Sequence, residues 1–213
     1  MEKLSLKEGE FLVKLARKAV EEYLINFNKI EPPEDTPPRL FLRSGVFVTI
    51  ESIKVGKSGK WHKMLRGCIG YPEPVKTLVN ATIDAAVAAA TEDPRFPPMR
   101  ANELNNVIFE VSVLTPPRKL KYSKPEDLLK LIKVGRDGII VEKGMFKGLL
   151  LPQVPVEHKW SVEEFLSNAC LKAGIPPDSW RQSMISIYTF QAQIFAEIFP
   201  KDKVIERVIG DIE

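Results

Sequence analysis

The chain has 213 residues, enough for one domain or two small lobes, and its 44% hydrophobic content excludes a disordered polymer. No apolar run is long enough to span a bilayer, and the opening Met1-Glu2-Lys3-Leu4 lacks the layout of a secretory signal, so a soluble, cytoplasmic protein is expected. The 31 basic and 28 acidic residues are well mixed, and the short basic runs at Arg118-Lys119 and around Lys143 and Lys147 read as solvated faces, which argues against nucleic acid as a partner.

In chain order, Ser5 with Glu8 forms a capping box and opens a helix. Its apolar face is Phe11, Leu12, Leu15, Ala16, Ala19, Val20, Tyr23 and Leu24. The prolines between Glu31 and Pro38 end that helix in a surface connection. Phe41 to Ile53 reads as a strand, Gly56 to Gly59 as a turn, and Trp61 to Tyr71 as the returning strand. A helix from about Val75 to Ala90 follows, rich in alanines that permit close approach to a sheet. After the loop Asp93 to Pro98, Val107 to Leu114 alternates as a strand, with Glu110 and Ser112 on the face opposite Phe109 and Val111.

Ser123 with Glu126 marks a short helix through Ile132, and 138–143 with 148–154 a second hairpin around Gly144. Ser161 with Glu164 caps a helix that ends at Gly174. Met184 to Phe199 alternates with a period of two and is expected to be one long strand, with Glu197 on its polar side. From Lys201 the tail fits helix or extended structure equally. Helices between groups of strands predict an α+β fold, mainly an antiparallel sheet flanked by helices. The whole chain forms one module of two unequal lobes, 1–120 with 183–213 and 121–182.

The segment Leu65-Arg66-Gly67-Cys68-Ile69-Gly70 carries the candidate chemistry. On a regular strand Arg66 and Cys68 share a face about 6–7 Å apart, where a guanidinium favours the reactive thiolate. Gly67 and Gly70 would leave the backbone open to a ligand. The alternative is a core thiol with glycines at a bulge or tight contact, and both remain open. His62 lies ~20 Å away on a straight strand, out of reach as a base, and His158 reads as a surface residue in a helix-entry loop. Glu110 needs a partner if its face is buried, and Arg66 or Arg95 would serve. Asp93 and Arg95 brace their own loop, and Gln153 supplies an amide to backbone or ligand. Cys68 and Cys170 make no disulfide framework, no histidine or cysteine spacing suggests a metal, and no cofactor fingerprint is evident.

LRGCIG at 65–70, DPRFPP at 93–98, FEVSVL at 109–114, GRDGIIV at 135–141 and LLPQV at 150–154, with Trp160 and KAG at 172–174, resemble the AMMECR family. That family is named for the chromosomal region of Alport syndrome with mental retardation, midface hypoplasia and elliptocytosis. The likeness runs from about Gly45 to Phe190. It implies an α+β fold of two unequal lobes with LRGCIG near the groove between them. The carried-over positions are Leu65, Arg66, Gly67, Cys68, Ile69 and Gly70, with Asp93, Arg95, Phe96 and Pro98 from the second motif. No reaction comes with the resemblance; it implies a pathway shared with Memo-type and radical-SAM proteins. The expected occupant of the site is a small molecule or a protein partner. Cys68 and Arg66 are its catalytic candidates; Glu110 and Ser112 are added as contacts.

Overall fold

A computed structural model describes residues 3–55, 61–182 and 184–209. They fall into two compact units, Met1–Leu114 with Gln193–Arg207, and Thr115–Ala192 with Val208–Glu213. The expected turn at 56–59 lies outside the described residues.

In the first unit, α1 (Leu6–Asn26) begins at the Ser5 capping box, where Ser5 N–H donates to Glu8 and Glu8 N–H to Ser5 Oγ. A short 3-10 turn at Pro38–Phe41 buries Leu40, so β1 (Gly45–Val55) starts four residues later than the β-rich composition suggests. β1 pairs antiparallel with β2 (Trp61–Tyr71) on one side and β3 (Val107–Leu114) on the other. α2 (Leu78–Thr91) starts three residues later than expected because Leu78 N–H donates to Leu42 carbonyl oxygen, tying that end to the segment before β1. Val46, Val48 and Ile50 of β1 and Val107, Phe109, Val111 and Val113 of β3 share one core with α1 and the alanines of α2. β3 is buried on both faces, so Ile108, Glu110, Ser112 and Leu114 are also shielded from water.

The second unit holds β4 (Arg118–Lys119), the single-turn helix α3 (Leu128–Leu131), β5 (Gly138–Lys143) and β6 (Phe146–Leu150). It continues through the single-turn helix α4 (Val154–Glu157), α5 (Val162–Lys172) and β7 (Ser186–Phe190). The strands form a sheet in the order β4-β7-β5-β6, and α5 packs on β5 and β6. Because β4 and β7 belong to this sheet, the unit is wider than 121–182. The helix before α3 is held by Asp127, which accepts from Ser123 and Lys124 N–H, not by a Ser123–Glu126 box. β6 stops at Leu150, and residues 151–153 turn into α4 instead of prolonging the hairpin.

The expected strand 184–199 is two strands. β7 pairs with β5, whereas β8 (Ala192–Glu197) lies between β3 and β9 (Val204–Arg207) in the five-stranded sheet β2-β1-β3-β8-β9. The break falls at Gln191, whose N–H and carbonyl oxygen are both taken by Thr115, through its Oγ1 at 2.8 Å and its N–H at 2.9 Å. Glu197 is not on a solvated side. It is 3% exposed, accepts two hydrogen bonds from Arg17 and one from Phe109 N–H, and so compensates a charge inside the core. The tail is resolved in favour of extended structure by β9.

Candidate functional site

LRGCIG lies on β2, the outermost strand of the five-stranded sheet. Register fixes which way its side chains point. Thr49 sits opposite both Cys68 on β2 and Glu110 on β3, while Phe47 sits opposite Gly70 and Ser112. Since Val48 and Ile50 face the core, Cys68, Thr49, Glu110, Phe47 and Ser112 share the sheet's second face.

The alternation that would place Arg66 beside Cys68 is interrupted. Ile50 pairs with Gly67 and Glu51 with Leu65, so Arg66 is the extra residue of a β-bulge. Its guanidinium turns to Glu103 in a two-pronged ion pair, Nε to Oε2 at 2.8 Å and Nη2 to Oε1 at 3.1 Å. Arg66 Nη1 is buried without a hydrogen-bond acceptor among the described residues. Glu103 also accepts from Arg100 N–H; Arg66 above all, with help from Arg100, holds its carboxyl below the usual range although burial pushes it up.

The glycines are occupied by the protein's own atoms. A Cβ on Gly67 would overlap the carbonyl oxygen of Ala89, so this glycine lets α2 lie directly on β2. A Cβ on Gly70 would overlap the Phe47 ring and the Val46 carbonyl oxygen. Ile69 packs against the core, while Leu65 is 40% exposed.

Cys68 is half-buried, and its backbone is held by the loop after α2. Asp93 Oδ2 accepts its N–H at 2.8 Å, and Arg95 Nη2 donates to its carbonyl oxygen at 3.4 Å. Arg95 in turn grips Asp93 through Nε at 2.9 Å and Nη2 at 2.6 Å. The pair thus satisfies the outer edge of β2 as a neighbouring strand would, closing one stretch of an edge otherwise open to strand pairing. These bonds explain why Asp93 can be buried: Arg95, with Cys68 N–H, brings its carboxyl down to about 2. The guanidiniums of Arg95 and Arg66 both approach the Phe96 ring, 5.6 and 5.9 Å from its centroid.

Among the described residues no histidine is hydrogen-bonded to the Cys68 thiol. Burial pushes Cys68 up, and the Thr49 hydroxyl, which donates to Sγ at 3.3 Å, and the Arg95 charge only partly oppose it; Glu110 and Asp93 push it further up. Glu110 is ion-paired with Arg207 of β9, not with Arg66 or Arg95. Ser112 Oγ is buried without a hydrogen-bond partner among the described residues. His62 pairs with Lys54 near the far end of the hairpin, and His158, in the second unit, stacks on Trp160 with centroids 4.7 Å apart. Gln153 Oε1, at the start of α4, is buried without a hydrogen-bond partner among the described residues. Among the described residues no group of three or more His, Cys, Asp or Glu is placed to hold a metal ion, and no helix is long and apolar enough to cross a membrane.

Thr49, Glu103 and Arg207 are the partners that sequence reading does not find. Thr49 follows from the hairpin register once the bulge is known. Glu103 and Arg207 are distant in sequence and carry no local signal.

An α+β protein with an edge strand bearing LRGCIG, braced by a DPRFPP loop, defines the class. The AMMECR1 family model matches residues 13–195, and the chain belongs to that family. It is 60% identical over 210 residues to a protein of Thermofilum pendens, covering 98% of this chain and 99% of that one. Against protein MK0488 of Methanopyrus kandleri it is 53% identical over 211 residues, covering 99% and 98%. The crystal structure of the uncharacterised protein PH0010 of Pyrococcus horikoshii superposes with a TM-score of 0.89 at 51% identity, covering 95% of this chain and 97% of that one.

Proposed function

We propose that the Cys68 strand and the 93–98 loop form a non-catalytic recognition site for a small molecule or a protein partner, with the thiol acting as a neutral contact. The observation that carries this is the state of Cys68: burial favours its protonated form, and the neighbouring Arg66 is committed to Glu103. The groups left to meet a ligand are the half-exposed Arg95 guanidinium, the Phe96 ring and Leu65. Arg95 presents a planar cation suited to a carboxylate or phosphate oxygen.

A second reading, a cysteine-dependent enzyme or accessory factor in a pathway shared with Memo-type and radical-SAM proteins, is favoured by one contact. The Thr49 hydroxyl donates to Sγ, a bond that strengthens as the sulfur gains charge.

The two separate in the alkylation rate of Cys68 by iodoacetamide across pH, measured in a Cys170→Ala background. Recognition predicts slow modification that rises only above the range of free cysteine. Rapid modification already at neutral pH would favour the enzyme.

A further inference from the structure

Away from LRGCIG, the start of α2 and the segment after α1 border an open cavity of about 350 Å³. Lys29, Lys76, Asp84, Thr77 and Asn80 line it, with buried Ile83 among them and exposed Glu31 also contributing. That volume suits a small metabolite. None of these residues belongs to the site proposed above, and the inference stands independently of it.

Both lysines converge on one carboxylate. Lys29 Nζ lies 2.6 Å from Asp84 Oδ1, and Lys76 Nζ is hydrogen-bonded to Oδ2. Burial alone would raise the Asp84 carboxyl, but Lys29 and Lys76 overcome it and hold it below its ordinary range. One carboxylate cannot neutralise two ammonium groups, so the triad keeps one unit of positive charge. Each ammonium has three donors, and Asp84 occupies one side of each. The Tyr71 ring, 4.8 Å from Lys76 Nζ, helps fix that side chain. Thr77 Oγ1 accepts from Asn80 Nδ2 at 2.7 Å, so its own hydroxyl proton remains to be donated. Glu31 opposes an anion, but its exposed side chain can turn to solvent.

We propose that this cavity is a ligand site for a small phosphorylated compound, whose phosphate is held by Lys29 and Lys76 with Asp84 bracing both from behind. A phosphate monoester offers three terminal oxygens to the two ammonium groups and the Thr77 hydroxyl, one more than a carboxylate has, and the rest of the monoester extends away from them. Asp84 competes for the same two cations, so it sets the affinity as well as the geometry.

Titration calorimetry at low ionic strength with inorganic phosphate and with glycerol phosphate tests this on the full chain, with acetate as the carboxylate control. Both phosphates should bind saturably, glycerol phosphate at least as tightly, and acetate should not. Lys29→Gln and Lys76→Gln should each weaken binding about tenfold. Asp84→Asn should tighten it several-fold, which a purely structural triad would not do. No saturable binding to wild type and Asp84→Asn would overturn the proposal, as would binding indifferent to both lysines. A melting curve for each variant confirms folding, and Asp84→Asn supplies a gain of affinity that misfolding cannot mimic.

Discussion

The chain's two cysteines make a direct comparison. Cys170 lies on α5 in the core of the second unit, with Phe165, Leu166, Trp180 and Ile187 in the same apolar cluster, and is wholly buried. Cys68 is half-buried on an edge strand, bonded by Thr49 and flanked by the ion pairs Asp93–Arg95 and Glu110–Arg207. Burial raises both thiols. Protonation state therefore does not distinguish them; surroundings do. Cys170 fills space, whereas Cys68 lies where a loop and the strands β3 and β9 bring charged pairs together. The cysteine of LRGCIG is thus a marker for its setting, and the residues holding its backbone should matter more than its sulfur.

Mutations sharpen that contrast, and the largest effect falls on a glycine. Gly67→Ala sets a methyl against the Ala89 carbonyl oxygen, two backbones that cannot both yield, and should cost about 3 kcal/mol in denaturant unfolding. A tolerated alanine would show that α2 and β2 are not packed as described.

Asp93→Asn comes next. The folded carboxyl is depressed to about 2, so its stabilisation is fully present above the unfolded value and disappears as pH falls from about 4 to 2. The substitution should cost roughly 2 kcal/mol at neutral pH, with wild type and variant converging in acid. A constant gap across that window would refute the linkage.

The two thiols themselves should respond unequally. Cys170→Ser puts a hydroxyl in an apolar core, where the Trp180 backbone N–H meets it but its own proton lacks a polar setting, and should cost about 2 kcal/mol. Cys68→Ser keeps a group that can accept from Thr49 and should cost under about 1 kcal/mol. Thermal melts of the pair decide this, and equal losses would erase the distinction between them.

Much of the fold was legible where its causes are local. The capping boxes at Ser5 and Ser161 both form, because each needs only a carboxylate three residues on. Gly174 takes φ of 77° just beyond α5, as a helix-ending glycine should. The break at Gln191 was not legible, since the period of two runs unbroken through it. Only Thr115, remote in sequence, reveals that pairing passes from one sheet to another. The bulge at Arg66 hides in the same way, and it redirects the one cation that spacing had placed beside Cys68. Glu197 looks like a solvated residue until Arg17, on the first helix, is folded against it.

The candidate site was found by its motifs but not by its geometry. LRGCIG and DPRFPP do meet, through Cys68 N–H on Asp93 and Arg95 on the Cys68 carbonyl. Their contact is made by backbone, which residue types alone do not announce.

The most direct measurement is the ultraviolet thiolate titration of Cys68 in a Cys170→Ala variant. A recognition site with a neutral thiol predicts an apparent pKa above the value near 8.5 typical of free cysteine. A value below about 7 would mean that Thr49 and Arg95 outweigh burial, and would contradict the account by making Cys68 a nucleophile at neutral pH.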